Sequence, residues 1–305
     1  MPKTDSHIDS FVLKIVAILG MTANHVAHAM GSMMPWPATL VLYSFGGVTY
    51  PVMAYLLVIG YMHTSNVKRY ASRLFLFALA SQVPFTLCLG WGSLPIPRLN
   101  VLFTLLIGLG LLWAWDNVAL RDFGYGCLDG ARLEGGKITS SGSPSAPGIA
   151  LFVLVLAAGV AASYFCDWSI SGPLLVVLFH MLRGKGSWGI VITMALLYLY
   201  VLVPNVMGLF DQIPRGIASA QNAIDQNLQH NIDMLYITGV PIHLYNVLLK
   251  TVANIGYAVV GFTVATVLIC RYNGRRGRPM KWFFYAYYPL HLLAIWALDE
   301  VLTAL

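Results

Sequence analysis

The sequence predicts an all-α, polytopic transmembrane helical bundle, and two observations support this class. Of the 305 residues, 58% are hydrophobic and only 10% are charged, and the mean hydropathy is +0.72. Apolar runs of about 20 residues, the length at which a helix crosses a bilayer, recur along the whole chain. Soluble domains do not combine so high a hydropathy with so few charges.

The apolar runs predict about nine spans within a single membrane domain, 1–305. The sixth run is short for a complete crossing, and residues 236–246 are a candidate for a tenth span, so the predicted number is nine to ten. We place the nine at residues 11–30, 39–61, 69–89, 99–115, 149–166, 170–182, 187–208, 247–270 and 282–303.

The lysines and arginines predict the orientation of the chain. If the N-terminus is cytoplasmic, fifteen of the eighteen basic residues fall on the cytoplasmic side, where short loops are enriched in them. Only Arg98, Arg215 and Lys250 fall on the external side. The net charge of +6 is then explained by membrane topology, and no nucleic-acid partner is predicted.

Two long connections separate the spans. Residues 116–148 are rich in Gly and Ser, which predicts a flexible cytoplasmic loop. In residues 209–246 apolar side chains recur at helical spacing among Gln, Asn and Asp, which predicts an amphipathic helix at the external surface. The four cysteines lack the spacing of a metal site or a disulfide framework, so neither is predicted; they are Cys88, Cys127, Cys166 and Cys270.

Polar side chains occur where lipid is expected. Asn24, His25 and His28 lie in the outer half of the first span, with His25 about 20 Å along the helix. Ionisable residues at that depth are rare and indicate either a functional site or a hydrogen bond between helices, and these residues alone do not decide between the two. Near the same face lie Arg98, Asn100 and Asp167.

A second polar group lies at the predicted cytoplasmic face. Positive-inside topology alone explains most of its residues, so they do not specify a ligand by themselves. The group consists of His63, Lys68, Arg69, Arg73, His180, Arg183, Lys185 and the segment RYNGRRGRPMK, residues 271–281.

Five segments carry a resemblance to a known family. They are LKIVAILGMTANH, YPVMAYLLVIGYMHTSNVKRYASRLFLFALASQVPF, LNVLFTLLIGLG, CDWSISGPLLVVLFHMLRG and KWFFYAYYPLHLL. In this order they cover most of the chain, which resembles the TraX family of integral membrane proteins of conjugative plasmids and related loci. More distantly, the chain is similar to transmembrane acyltransferases that use acyl-coenzyme A.

The resemblance implies an N-acetyltransferase of a bacterial inner membrane. The expected donor is cytoplasmic acetyl-CoA, and the specific expected acceptor is the N-terminal amine of a conjugative pilin, presented at the external face. A sugar hydroxyl or amine would require the same donor and base, so the acceptor stays open at this point. Membrane lipids are the other expected partners.

The resemblance also implies site residues, with His25 as the base that takes a proton from the acceptor amine. Asn100, Tyr288 or Thr104 is expected to donate a hydrogen bond to the developing oxyanion. Catalytic residues are thus expected to be His25, Asn24, Asp167 and Asn100. Because the donor carries phosphates, cations should bind it, and the expected residues are His63, Lys68, Arg69, Arg73, Arg275 and Arg276. The remaining motif positions are Thr64, Tyr70, Gln82, Pro84, Pro289 and His291.

One position departs from the family pattern. The family usually has an Asp-His pair at the end of the first span, whereas this chain has Asn24 before His25. A carboxylate would stabilise a protonated imidazole, which an amide can only orient. Either Asp167 supplies the charge from another helix, or His25 is a weaker base.

Two other function classes remain compatible with the sequence. A transporter or channel would use the same His and Asp residues as a polar path, and prolines in or beside spans are typical of its broken helices. A non-catalytic scaffold of pilus assembly would use the connection 209–246 as a docking surface.

Overall fold

The computed structural model describes residues 7–89, 98–119, 132–134, 137–139, 145–225, 236–237 and 240–304. Eleven α-helices occur in these ranges. They are α1 (Ser10–Met30), α2 (Trp36–Gly46), α3 (Thr49–His63), α4 (Val67–Leu89), α5 (Val101–Ala114), α6 (Ala146–Ser163), α7 (Ser171–Met181), α8 (Ser187–Asp225), α9 (Ile242–Gly256), α10 (Thr263–Cys270) and α11 (Lys281–Thr303).

Short irregular elements join these helices. A π-helical segment, Trp115–Ala119, extends α5, and another, Tyr257–Phe262, joins α9 to α10. Two antiparallel pairs of very short strands lie in the long connections: β1 (Arg132–Glu134) with β2 (Lys137–Thr139), and β3 (Tyr236–Ile237) with β4 (Val240–Pro241).

The all-α polytopic class is confirmed, with seven to nine crossings. Within the described residues, seven helical segments are long and apolar enough to span a membrane. The other two predicted spans are also helices, but α7 has only 11 residues and α11 is less apolar. Large apolar side chains such as Leu76, Val83 and Leu154 are exposed on the helices, as contact with lipid requires.

The connection 209–246 differs from its prediction. Helix α8 continues without a break from its apolar part to Asp225, so residues 217–225 do not begin a separate surface helix. Helical periodicity does not show where one helix ends, which is why the sequence could not separate these cases. Residues 226–235 lie outside the described residues, and 240–246 form β4 and the start of α9 rather than part of a tenth span.

The connection 116–148 is described only in part. It begins with the π-helical end of α5 and contains the β1 and β2 pair, and its last residues are the first turn of α6. Residues 120–131, 135–136 and 140–144 lie outside the described residues, so the expected flexible loop stays a prediction.

Helix α3 lies at the centre of the bundle and packs against α1, α5, α7 and α10. Tyr50, Val52 and Tyr61 are almost fully buried on it. Thr49 ties its start to α1, because the Thr49 hydroxyl donates to the carbonyl of Ala17 at 3.0 Å. Groups on α3 therefore reach the polar residues of the neighbouring helices from the middle of the protein.

Two glycines allow the closest backbone contact in this central region. A Cβ atom on Gly47 would lie 2.2 Å from the carbonyl oxygen of Tyr257, and one on Gly261 would lie 2.3 Å from the Cα of Gly47. Small residues permit such approaches between membrane helices. The contact holds Tyr257 beside Tyr43 of α2, with ring centroids 5.2 Å apart.

Candidate functional site

A cavity of about 660 Å³ enters the bundle from its basic end, and we call it the inner cavity. Along α1 its lining runs from Ser10 to Met21, about 16 Å at 1.5 Å per residue. Apolar side chains such as Leu57 and Leu105 line the deeper part. The basic residues of the lining are Lys14, His63, Arg73, Arg276, Arg278 and Lys281.

The structure divides the predicted donor-binding residues into two sets. His63, Arg73 and Arg276 line the inner cavity, whereas Lys68, Arg69 and Arg275 do not. The lining also contains three cations outside the set of named donor-binding residues, Lys14, Arg278 and Lys281. The last two belong to the basic segment 271–281, but sequence alone does not show which of its side chains face inward.

Backbone contacts hold this basic segment over the start of α1. Asp9 caps α1 by accepting hydrogen bonds from the amides of Phe11 and Val12, each 2.9 Å long. The Ser10 amide donates to the carbonyl of Arg275 at 2.9 Å, and the Ser10 hydroxyl donates to that of Arg276 at 2.6 Å. The cavity mouth is therefore built from two segments far apart in the chain.

Three polar atoms in the cavity wall have no hydrogen-bond partner within the described chain. They are the Nε of Arg73 near the mouth and the hydroxyls of Tyr50 and Tyr288 at the deep end. Leaving a buried polar group unsatisfied costs about 1–3 kcal/mol. An anionic group near the mouth and a hydrogen-bond acceptor at the deep end would satisfy these atoms.

Two histidines lie directly behind this deep end, and we call His25 and His291 the histidine pair. Nδ1 of His25 is 2.8 Å from Nε2 of His291, and both residues are buried. The ring centroid of His291 is 5.7 Å from that of Tyr288, which lines the cavity. The pair therefore lies one residue layer beyond the cavity.

The hydrogen bonds determine the tautomers of a neutral histidine pair. Nδ1 of His291 is 2.9 Å from the carbonyl oxygen of Tyr287, which can only accept, so this nitrogen carries the proton. Its Nε2 is then an acceptor, and Nδ1 of His25 donates to it. The lone pair of His25 is consequently on Nε2, which makes no hydrogen bond in the described chain. In this arrangement Nε2 of His25 can accept a proton.

The predicted neighbours of His25 have other contacts. Nδ2 of Asn24 points to the carbonyl of Tyr43 at 3.4 Å and packs against Gly46, so Asn24 connects α1 to α2. Consecutive residues of a helix do not face each other, which explains why Asn24 does not orient His25. Asp167 is not the hydrogen-bond partner of His25 either; that partner is His291.

Asn100 has a structural role. Its Nδ2 donates to the carbonyl of Ala78 at 2.7 Å and to Oε1 of Gln82 at 3.0 Å, and its Oδ1 caps α5 at the amide of Leu102. Both amide hydrogens are committed, so none is available for an oxyanion. Thr104 is fully buried and lines neither this cavity nor the one described below. Tyr288 is the predicted donor whose side chain lines the inner cavity. Tyr50, which sequence reasoning missed, lines it as well, and its buried hydroxyl lies beside Gly172 of α7.

A second cavity, of about 550 Å³, lies at the opposite end of the bundle, and we call it the outer cavity. Its lining includes Asn24 and His28 of α1, Tyr43, Asp167 and Tyr257. Burial raises the pKa of the Asp167 carboxyl to about 6, although the nearby Arg98 guanidinium lowers it. Asp167 lies in the connection before α7, outside the spans.

Two stacked aromatic rings lie between the two cavities. Tyr50 belongs to the inner lining and Trp168 to the outer lining, and their rings stack with centroids 4.3 Å apart and an interplanar angle of 14°. On α1 the inner lining ends at Met21 and the outer lining begins at Asn24. His25 therefore lies at the level where the two cavities meet.

Another buried polar group, which we call the closed cluster, consists of Tyr61, Asp116 and His180; the sequence singled out His180 but not the other two. The Tyr61 hydroxyl donates to Oδ2 of Asp116 at 2.9 Å, and Nε2 of His180 is 3.0 Å from Oδ1. All three are buried, and none lines either cavity. The sequence pattern places Asp116 in the flexible loop because it follows the apolar run, so no pattern connects it to His180.

Comparison with known proteins identifies the family. The sequence profile of the family described as "TraX protein" matches residues 10–299. The chain belongs to the TraX family. It is also similar to a protein of Dichelobacter nodosus described as "Probable fimbrial assembly protein FimC, serogroup H1", with 30% identity over 107 residues. That alignment covers 33% of this chain and 43% of the relative, so the match spans less than half of the relative's length. No solved structure matches the chain significantly.

The TraX match includes every residue of the inner cavity, the histidine pair, the outer cavity and the closed cluster. The site is therefore formed by the part of the chain that defines this TraX protein, not by an appended segment.

Proposed function

We propose that this TraX protein is a membrane acetyltransferase. It takes an acetyl group from acetyl-CoA bound at the basic end of the bundle and transfers it to an acceptor at the opposite end. The observation that carries this proposal is the inner cavity, which runs from a basic mouth to two unpartnered tyrosine hydroxyls in front of the histidine pair. If basic loops are cytoplasmic, this mouth faces the cytoplasm.

The chemistry of the inner cavity fits the donor. Arg73, Arg276 and the other cations at the mouth match the phosphates of coenzyme A. The apolar deeper part matches a flexible arm that carries its thioester inward. The volume of about 660 Å³ is typical of small-molecule sites, so the arm fits inside while the nucleotide remains at the mouth.

The proposed reaction is an acyl transfer in which His25 is the base. The nitrogen of the acceptor attacks the thioester carbonyl carbon, and Nε2 of His25 takes the proton that the nitrogen loses. When the C–S bond breaks, the same nitrogen returns the proton to the leaving thiolate. His291 is a positioning residue, since it holds Nδ1 of His25 through the 2.8 Å hydrogen bond.

Two hydroxyls are positioned to stabilise the negative charge of the transition state. Tyr50 and Tyr288 place unpartnered polar groups at the deep end of the cavity, whose lining also contains apolar side chains such as Leu102. Hydrogen-bond donors of this kind stabilise an oxyanion most strongly when they are already in place and shielded from water.

The acceptor we propose is the N-terminal amine of a pilin. The TraX resemblance implies this acceptor, and the relative named as a fimbrial assembly protein supports an association with pilus biogenesis. A pilin that is cleaved at the external face of a bacterial inner membrane presents such an amine. The acetyl group would reach it when Tyr50 and Trp168 separate.

Calorimetric titration of acetyl-CoA into the purified protein in detergent tests the donor site. We expect saturable binding that Arg73→Ala with Arg276→Ala weakens at least about tenfold, because two charge-assisted contacts are lost. Lys185→Ala is the matched control, since Lys185 is an exposed cation near the same end that does not line the cavity. His25→Ala should bind the donor almost normally.

A mass-shift assay with a pilin peptide then tests transfer. An increase in mass by one acetyl group that requires acetyl-CoA and His25 supports the proposal. A well-folded protein that binds no acetyl-CoA, or that transfers acetyl equally well after His25→Ala, would overturn it.

One observation also favours a transporter. Two cavities that open at opposite ends, with the stacked rings of Tyr50 and Trp168 between them, have the arrangement of alternating access. Uptake of a solute into vesicles that needs no coenzyme A would support this function. Uptake that is absent while acetyl transfer proceeds would exclude it.

A further inference from the structure

We propose that the outer cavity is a binding site for a protonated primary amine. Asp167 is the counter-ion, and Tyr43, Trp168 and Tyr257 present their rings to the same space. This inference rests on the proposed function only in identifying the bound amine as the acceptor. It assigns the selection of an amine over a hydroxyl to residues of this cavity.

Asp167 supplies the charge argument. It is half-buried in the cavity wall and forms no ion pair within 4 Å in the described chain. Its backbone amide donates to the carbonyl of Leu99 at 2.9 Å, which fixes the residue beside the start of α5. In the described ranges, Arg98 lines the same cavity but forms no ion pair with Asp167 within 4 Å. A partly buried carboxylate without a direct ion-pair partner is unfavourable, and an incoming ammonium group lowers that cost.

The surrounding rings supply a second attraction for a cation. The centroid of Tyr257 is 5.2 Å from that of Tyr43 and 6.3 Å from that of Trp168, so the three rings form one group across the cavity. Ring faces attract ammonium ions within about 6 Å of their centroids and have no such attraction for a neutral hydroxyl. The rings and Asp167 therefore favour the same class of ligand.

Hydrogen bonds hold the cavity wall in place before a ligand arrives. The Tyr43 hydroxyl donates to Oδ1 of Asn254 at 3.3 Å, and Nδ2 of Asn254 donates to Oδ1 of Asn205 at 2.8 Å. Nδ2 of Asn205 donates in turn to the carbonyl of Val201 at 2.7 Å. Because these groups satisfy one another, they leave Asp167 as the acceptor that is open to a cation.

The position of the cavity also fits the reaction. Asn24 and His28 line it on either side of His25 along α1. An ammonium ion held by Asp167 would therefore lie at about the level of His25 along α1. The cavity selects the protonated amine, which releases one proton to water at the open end of the cavity; the neutral nitrogen then attacks and loses its second proton to His25.

The test compares two peptides whose C-termini are amidated and which differ only in the N-terminal group. Ala-Ala-Ala amide has a free amine, and lactyl-Ala-Ala amide has a hydroxyl in its place. Binding of each to the full-length protein in detergent is measured by calorimetry at pH 7 without acetyl-CoA, so that no transfer occurs. The same preparations are then titrated with acetyl-CoA.

We expect the wild-type protein to bind the amine at least about tenfold more tightly than the hydroxyl analogue, the value of one charge-assisted contact. Asp167→Asn should reduce the preference to within about twofold, because the amide keeps the shape and removes the charge. Asp299→Asn removes an external carboxylate that does not line the cavity, and it should keep the preference.

Equal binding of both peptides by the wild-type protein would overturn the inference, and this outcome does not depend on whether Asp167→Asn folds. A preference that survives Asp167→Asn would also overturn it. Absence of the preference in a wild-type protein that binds acetyl-CoA and transfers its acetyl group rejects the amine site alone. An intact preference in a protein that binds no acetyl-CoA rejects the proposed function and leaves the amine site standing.

Discussion

The closed cluster and the histidine pair each contain a buried histidine, but the two histidines differ in their partners and in their distance from a cavity. In the closed cluster, His180 contacts the carboxylate of Asp116, which also accepts from Tyr61, and neither cavity reaches the group. In the histidine pair, His25 contacts another imidazole and lies behind the deep end of the inner cavity. One arrangement pairs a histidine with a buried carboxylate, whereas the other pairs two imidazoles near a cavity. In the described chain Nδ1 of His180 also has no hydrogen-bond partner, so an unused ring nitrogen does not distinguish the two groups.

The difference shows why burial alone does not identify a site. His180 is 2% exposed and His25 is 8% exposed, so both would count as unusual histidines within membrane helices. What separates them is the identity of the partner and the nearness of a cavity. We therefore expect His180 to contribute mainly to stability and His25 mainly to activity.

Replacing His25 should have the largest effect. For His25→Ala we expect acetyl transfer to fall by about 10²- to 10⁴-fold, the usual contribution of a general base. The midpoint of thermal unfolding should change little, because one neutral hydrogen bond is lost. Rates measured at saturating acetyl-CoA, with unfolding followed on the same sample, check this. Full transfer activity of His25→Ala would mean that the histidine pair, like the closed cluster, is not needed for the reaction.

Replacing His180 should have the reverse effect. His180→Ala leaves the carboxylate of Asp116 buried with one partner fewer, and breaking a buried pair in this way costs about 3–5 kcal/mol. We expect a lower unfolding midpoint in detergent but a normal transfer rate per folded molecule. Asp116→Asn in the same background should recover part of the loss. A stable but inactive His180→Ala protein would mean that the closed cluster takes part in the reaction.

Two substitutions of His291 test whether it acts by accepting the hydrogen bond from His25. Gln can still accept the hydrogen bond from Nδ1 of His25, whereas Leu cannot. We therefore expect His291→Gln to keep transfer within about tenfold of wild type and His291→Leu to lose clearly more, with the loss in kcat rather than KM. If both variants lose activity equally, His291 does more than position its partner.

The pH dependence of amine binding should show the smallest effect. Since the pKa of Asp167 is raised to about 6, the carboxylate is charged at pH 7 and mostly neutral at pH 5, and the peptide amine stays protonated at both values. Binding of Ala-Ala-Ala amide should weaken about tenfold on going from pH 7 to pH 5. The ionisable groups around Asp167 are Arg98, His28, Cys166, Tyr43, Tyr50, Tyr257 and Tyr288.

Of these groups, His28 also gains charge as the pH falls and would repel the amine. His28→Gln is therefore the control, and it should retain the pH dependence. Asp167→Asn should lose it. If His28→Gln instead loses the pH dependence and Asp167→Asn keeps it, the group that titrates is His28 on α1 and not Asp167.

Sequence patterns locate the polar elements well but assign their partners poorly. The depth of His25 in the first span marks it as unusual, and charge alone marks the basic segment 271–281. By contrast, Asn24, Asp167 and Asn100 are grouped with His25 in the sequence because they share a membrane level. In the structure Asn24 holds α2, Asn100 joins α4 to α5, and Asp167 lines the outer cavity.

The sequence by itself determined the class of this protein, because the length and hydropathy of each run are properties of local residues. It also determined which levels of the membrane contain polar groups. Only the tertiary structure decided which of those groups meet. His25 and His291 are 266 positions apart, and no periodicity within one helix shows which other helix lies against it. Contacts between distant segments arise from packing of the whole bundle, and these contacts make one histidine a structural residue and the other a candidate base.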